Sequence, residues 1–269
     1  MPSDNDSDTP GEIVSALLVH DKPGRLPVAS FLESLHARFS VHDDGAPATY
    51  IPPLAEADPS WFGISLVTVD GHGYEVGESA RAFTIQSISK AFAFGMTLED
   101  CGADVVTSHV GVEPTGDPFN SITVEEESKR PFNPMVNAGA IVTTSLLSGR
   151  GVDGQLTRLL EGLGHFAGHP LGIDERAFLA ERQTGDRNRA IAYFMRALDM
   201  GPTDVESALD LYFRQCSVLV DCRDLAVMAA TLANRGVNPL TGRRALAEVL
   251  VDLAGAEGPL GPAPQLGVS

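Results

Sequence analysis

Apolar residues in this chain recur mostly three and four positions apart, and only briefly every second position. The pattern therefore predicts a protein built mainly from helices, with one short piece of sheet. Phe31, Leu35 and Phe39 fall at four-residue intervals and predict an amphipathic helix. Phe62 to Val69 is short and β-branched, Asp70-Gly71 is a turn signal, and Tyr74 to Val76 resumes extended character, which together read as a hairpin. Beyond Ser87 the apolar spacing is helical. An apolar helix runs through Ala91 to Met96, and another contains Asn137 to Ile141 after the punctuation of Pro131-Phe132-Asn133-Pro134. Leu156, Leu159, Leu160 and Leu163 mark a third. Ile191, Phe194, Met195 and Leu198 mark a fourth, within Ala190 to Leu198 and stopped by Gly201-Pro202. Val205, Leu209, Tyr212, Phe213 and Cys216 mark a fifth, and Leu225 to Leu232 a sixth that stops near Gly236. No further strand is expected after residue 76, although a lone hairpin is marginal and needs more strands to make a sheet worth packing on.

Polarity bounds the ends of the chain. Residues 1–12 are polar and acidic and read as a disordered tail, and residues 255–269, with four glycines and three prolines, read as a second one. Residues 13–254 are expected to form a single domain, since no repeat or clear internal boundary divides them. Composition then narrows the partners. The 269 residues carry 36 acidic against 19 basic side chains, a net charge of −17, which argues against nucleic acid and anionic membrane. No apolar run is long enough to span a bilayer, and the acidic N-terminus is unlike a signal peptide, so a cytoplasmic protein is expected. Cys101, Cys216 and Cys222 are an odd count without zinc-type spacing and read as reduced thiols. His165 and His169 have the spacing of a zinc helix, but Gly168 and Pro170 would break it, so no metal or other cofactor is expected.

Candidate chemistry centres on Thr84-Ile85-Gln86-Ser87-Ile88-Ser89-Lys90. A serine and a lysine three apart on a helix share one face, and a hydroxyl needs an adjacent base to act as a nucleophile at neutral pH. Lysine supplies that base when burial keeps its amine neutral. The plainer alternative makes Ser87 a helix cap and Lys90 a solvated charge. Lys90 is one of three lysines and lies within an apolar run, where a surface charge is out of place. Asn137, Asn188 and Tyr212 are further polar residues among apolar neighbours, where an unpaired buried group costs roughly 1–3 kcal/mol. Asn137 could equally cap a helix after Pro134, and Tyr212 could be a half-buried core aromatic. Glu181 could pair with Arg187 on the surface, and Glu125-Glu126-Glu127 reads as a solvated acidic face.

Several longer motifs resemble those of the serine-dependent glutaminases, whose fold is that of serine β-lactamases and penicillin-binding proteins. They are Gln86-Ser87-Ile88-Ser89-Lys90, the stretch Glu113 to Ser121, Arg130 to Ile141, Gly185-Asp186-Arg187-Asn188, Asp210 to Ser217 and Asp221 to Leu225. The resemblance runs from about Phe31 to about Leu246. It implies an α/β (α+β) fold with a helical subdomain beside an antiparallel sheet. It also implies hydrolysis of L-glutamine to L-glutamate and ammonia, with Ser87 as the acylated nucleophile, Lys90 as its base and Tyr212 completing the proton relay. Tyr50, Gln86, Ser87, Asn137, Glu181, Asn188 and Tyr212 would hold the glutamine, Glu181 opposite its α-amino group. The Ser87 backbone N–H would supply one oxyanion donor. A homo-oligomer is implied as well.

Past Leu246 the family continues with a further active-site tyrosine and strands carrying a Lys-Ser-Gly-like motif. This sequence instead runs Ala247 to Ala254 into the Gly/Pro-rich stretch, so an incomplete sheet is expected. A glutaminase is the function expected. A catalytically silent or glutamine-binding relative, and more distantly a β-lactam-processing serine hydrolase, are the alternatives.

Overall fold

A computed structural model describes residues 27–251 except Asp43 and Asp117; the expected tails at 1–12 and 255–269 lie outside the described residues. Helix α1 (Pro27–Phe39) starts on a proline, whose missing N–H costs nothing in a first turn. It lies against the predicted hairpin, in which β1 (Gly63–Val67) pairs antiparallel with β2 (Gly73–Gly77), Leu66 opposite Tyr74. Of the expected face, Phe31 and Leu35 are half-buried and Phe39 departs from it. Leu32 is the buried residue and Phe39 is 45% exposed. The reason is a specific anchor on the hairpin: His36 stacks on Phe62 at 5.0 Å between ring centroids, and its Nε2 lies 2.9 Å from the Phe62 carbonyl oxygen. That contact rotates the helix away from a purely apolar seam.

After a short helix α2 (Pro52–Ala55) and the hairpin, the chain forms a second, unexpected sheet. Strand β3 (Phe83–Thr84) pairs antiparallel with β4 (Leu219–Val220), and the Ile85 N–H donates to the Val218 carbonyl at 2.8 Å. The expectation of no strand after residue 76 is therefore corrected. Two residues per strand are too few to display a period of two, and the partners lie far apart in the sequence.

Helix α3 (Ser89–Cys101) runs through the middle of the molecule, every residue from Ser89 to Leu98 buried, as a helix packed on all sides must be. Helices α4 (Ala103–His109), α5 (Asn137–Ser145) and α6 (Gly151–Ala167) pack against it. Helices α7 (Glu175–Thr184) and α8 (Asp186–Ala197) follow, and α9 (Val205–Cys216) packs against α5, α6, α7 and α8 together. Helix α10 (Cys222–Ala233) backs β1 and is started by a capping box in which Asp221 and Asp224 satisfy each other's backbone amides. One apolar cluster gathers Phe92, Phe94, Met96, Leu159, Leu163 and Phe166, and a second gathers Ile141, Ile191, Met195, Leu209 and Phe213. Ile173 packs against both, so the two clusters adjoin. The described residues thus combine helices with two small, two-stranded antiparallel sheets. Among the described residues no helix is long and apolar enough to cross a membrane.

Candidate active site

The turn that presents Ser87 is set by its neighbours. From β3 the backbone enters a helical conformation at Ile85, swings to a positive φ of 49° at Gln86, and passes through a 3-10 turn (Gln86–Ile88) into α3. A left-handed conformation at a residue other than glycine costs about 1–3 kcal/mol and persists only where surrounding structure over-determines it. The result is an exposed Ser87 at the start of a buried helix. Ser87 makes no cap, since neither Ile85 nor Ile88 marks a side-chain-capped start, so the plainer reading of its place in the sequence fails.

One turn later Lys90 is 2% exposed, which overturns the solvated alternative. Its Nζ donates to the Met135 carbonyl oxygen at 2.9 Å and to Asn137 Oδ1 at 2.7 Å, neither bond being to Ser87. Both acceptors are neutral. Burial lowers the amine's pKa to about 8, only partly opposed by Cys216. The Phe119 ring lies 5.7 Å from the same nitrogen.

Asn137 opens α5 rather than capping it: Val136 holds the cap position, and the side chain of Asn137 is turned toward the site. Its Oδ1 receives Lys90 and its Nδ2 donates to Asn188 Oδ1 at 2.9 Å. Asn188 reaches it because α8 begins at Asp186, four residues before the apolar spacing starts the helix at Ala190. Tyr212, 3% exposed on α9, places its hydroxyl at a long 3.5 Å from Asn137 Oδ1. Burial holds its phenol well above the usual tyrosine range, with smaller contributions from Cys216, Glu181 and Tyr50.

On the other side of Ser87, Gln86 gathers a second set. Its Oε1 accepts from the Tyr50 hydroxyl at 2.9 Å, its Nε2 donates to Thr84 Oγ1 at 3.0 Å, and the side chain favours the ionised form of the neighbouring Glu181. Glu181 is 7% exposed and burial raises its carboxyl above the usual range, only partly opposed by Gln86. The Tyr50 phenol, on a side chain with much exposed surface, is pushed up to about 12 by partial burial and then by Glu181. The offered surface pair between Glu181 and Arg187 does not form. Arg187 instead donates twice to the Asn120 carbonyl, at 2.9 and 2.7 Å, leaving Glu181 without an ion-pair partner among the described residues. Glu125, read as part of a solvated face, is in fact paired with Arg130 at 2.7 Å.

Thus the eight residues singled out from the sequence converge. Lys90, Asn137, Asn188 and Tyr212 form one connected group, Tyr50, Gln86 and Glu181 another, and Ser87 joins them through its chain neighbour Gln86. Sequence reasoning missed the buried Cys216, whose thiol burial raises to about 12 beside Tyr212. Its spacing of four from Tyr212 on one helix was the available signal. It also missed Ser89, Thr144 and Gln215, three fully buried polar side chains on α3, α5 and α9. His165 and His169 lie apart from this site, and His169 Nε2 meets Asp224 Oδ1 at 2.6 Å.

Chemically, the arrangement offers an exposed hydroxyl beside a lysine whose amine loses its proton near pH 8. Next to them stands a buried carboxylate suited to a cation, ringed by neutral amides and phenols.

Comparison with known proteins agrees with this chemistry. Residues 45–254 match the family model described as Glutaminase. The chain is 54% identical over 220 residues to a glutaminase of Trichormus variabilis, covering 82% of this chain and 66% of that protein. It thus spans just under two thirds of that relative's length. Among solved structures, the probable glutaminase ybaS superposes with a TM-score of 0.81 at 37% identity, over 84% of this chain and 74% of that one. Mglu in its glutamate form gives 0.82 at 38% identity, over 86% and 54%.

Proposed function

We propose, given that this chain belongs to the glutaminase family, that it hydrolyses L-glutamine to L-glutamate and ammonia through an acyl-serine formed on Ser87. The observation that carries the reading is Lys90: buried, hydrogen-bonded only to neutral acceptors, and one helical turn from an exposed serine. Its neutral amine takes the Ser87 hydroxyl proton as Oγ attacks the side-chain carboxamide carbon of glutamine. The oxyanion faces the first turn of the helix, where the Ser87 N–H lacks an intrahelical carbonyl and the helix dipole favours negative charge. The Tyr212 phenol, kept neutral by burial, passes a proton toward the departing nitrogen, so that ammonia leaves and the acyl group stays on Oγ. Water then attacks the acyl carbon, the bond from that carbon to Oγ breaks, a proton passes through the same groups back to Oγ, and glutamate departs.

Glu181 receives the substrate's α-ammonium. A buried carboxylate with a raised pKa gains from a cation that restores its charged form, which favours a zwitterion with a free amino group. Tyr50, Gln86, Asn137 and Asn188 contribute neutral donors and acceptors around the remaining polar atoms. A site that leaves such groups unpaired rejects analogues lacking them. Residues 13–254 act as one domain, which the adjoining apolar clusters support. The acidic charge balance supports a protein without nucleic-acid or anionic-membrane partners, and family resemblance supports a homo-oligomer.

Ammonia release from glutamine by the purified chain, beside a Ser87→Ala variant, tests the reading. Release that disappears in the variant, with a covalent adduct on Ser87 from a diazoketone analogue of glutamine, is the expected result. Equal release from both proteins removes Ser87 as nucleophile, and none from either removes the hydrolytic function.

A further inference from the structure

Three fully buried polar side chains lie just behind the site and touch none of the eight residues' functional groups. They are Ser89 on α3, Thr144 on α5 and Gln215 on α9. Ser89 Oγ lies 2.6 Å from the Gln86 carbonyl oxygen, Gln215 Nε2 lies 3.1 Å from Ser89 Oγ, and Thr144 Oγ1 lies 2.8 Å from Gln215 Oε1. The direction of the chain is fixed by elementary bookkeeping of protons. A carbonyl can only accept, so the Ser89 hydroxyl proton goes to Gln86 and its oxygen must accept. Gln215 therefore presents its N–H to Ser89, and its own carbonyl oxygen faces Thr144, which donates. Ala140 O, also 2.8 Å from Thr144 Oγ1, is the ordinary helical acceptor for residue 144 and does not need that proton.

Two features make this more than core filling. The relay ends on the carbonyl of Gln86, the residue held at a positive φ immediately before Ser87. It also ties together the three helices that carry the reactive groups: α3 with Lys90, α5 with Asn137 and α9 with Tyr212. We propose that Thr144, Gln215 and Ser89 are positioning residues, a directed hydrogen-bond relay that holds the left-handed turn at Gln86 and so aims Ser87 at the substrate. The Gln86 side chain is held separately, by the Tyr50 hydroxyl and Thr84 Oγ1, so the relay acts on the backbone that carries Ser87 and leaves the binding groups in place. The Gln86 carbonyl also accepts the Ser89 backbone N–H; apolar residues of equal size would fill the space but remove its second, side-chain donor. Conversely, loss of any one hydroxyl leaves a buried amide group without its partner.

The inference rests on the glutaminase reading for its kinetic arm and stands apart from it in its structural arm. Ser89→Ala and Thr144→Val remove one donor each, the latter with little change of shape, and Thr144→Ser restores the hydroxyl. With glutamine, kcat and the rate of Ser87 labelling by the diazoketone analogue are expected to fall about 10- to 100-fold in Ser89→Ala and Thr144→Val. KM should stay within about threefold, since the binding groups themselves are intact. Thr144→Ser should recover the parent rate. Unchanged rates, a loss that Thr144→Ser does not recover, or a KM that rises in step with the loss of kcat overturns the proposal. If the parent chain neither releases ammonia nor reacts with the analogue, the glutaminase reading fails by itself. Crystal structures of the parent and Ser89→Ala then decide the relay: Gln86 leaving the left-handed region is expected, and Gln86 keeping its φ of 49° overturns it. Should Ser89→Ala not fold, Thr144→Val carries the same readouts.

Discussion

An ammonium at Lys90 would face the Met135 carbonyl, the Asn137 amide and the Phe119 ring, with no carboxylate among its hydrogen-bond partners. Its lowered pKa of about 8 follows from that environment, and two pH effects follow from the pKa. The base form grows as pH rises, so kcat/KM for glutamine should climb through about pH 8 and level off above it; a flat profile there would remove Lys90 as base. Stability should rise over the same range. The folded pKa lies below the unfolded value of 10.5, so between about 8 and 10.5 the unfolded chain holds more protons, and raising pH favours the folded state. Glu181 is the complementary case. Glu181→Gln keeps the shape but not the charge, and kcat/KM for glutamine should drop by roughly 30-fold or more while the melting temperature holds. A drop for substrates with a blocked amino group as large as that for glutamine would assign Glu181 a structural part instead. At this scale the sequence was informative about Ser87 and Lys90, because an amine inside Ala91 to Met96 conflicts with its surroundings. It was silent on Asn137 as the acceptor of Lys90, since a sequence separation of 47 is bridged only by tertiary folding.

Elements behave differently. The hairpin was legible because alternation, β-branching and Asp70-Gly71 agree, and its register places Val67 opposite Gly73 around that turn. Strands β3 and β4 were not, because two residues carry no period and each exists only by meeting the other. Helix α5 shows how close approach selects a residue. Gly139 faces the Asn133 carbonyl so closely that an added Cβ would lie 2.0 Å from its oxygen. Asn133 in turn accepts the Met135 and Val136 amides, which sets the entry of α5 and thereby the carbonyl that receives Lys90. Gly139→Ala is expected to destabilise the protein by about 1–3 kcal/mol, read as a lower urea midpoint at unchanged slope, and to disturb the Lys90 contacts. An unchanged midpoint would mean that the α5 entry yields without strain.

Across the whole molecule the net charge of −17 sets a background of self-repulsion. Salt at 0.15 M shortens the reach of that repulsion to about 8 Å, so the melting temperature should rise between very low salt and 0.15 M sodium chloride. A falling melting temperature would show that attractive pairs such as Arg158 with Glu99 and Asp100 outweigh the net charge. The charge excess and the run of apolar helices are properties of composition and spacing, and the sequence determined them without help. It also determined the family, whose motifs are local strings of side chains, and through that resemblance it pointed to the eight proposed site residues. The tertiary structure alone decided that Asn188 meets Asn137, that Arg187 leaves Glu181 for Asn120, and that Thr144, Gln215 and Ser89 join behind the Gln86 turn. Each of those is a pairing of polar groups from separate parts of the chain. A polar residue in an apolar stretch announces that it needs a partner when buried; only the packing of the helices determines which partner it finds.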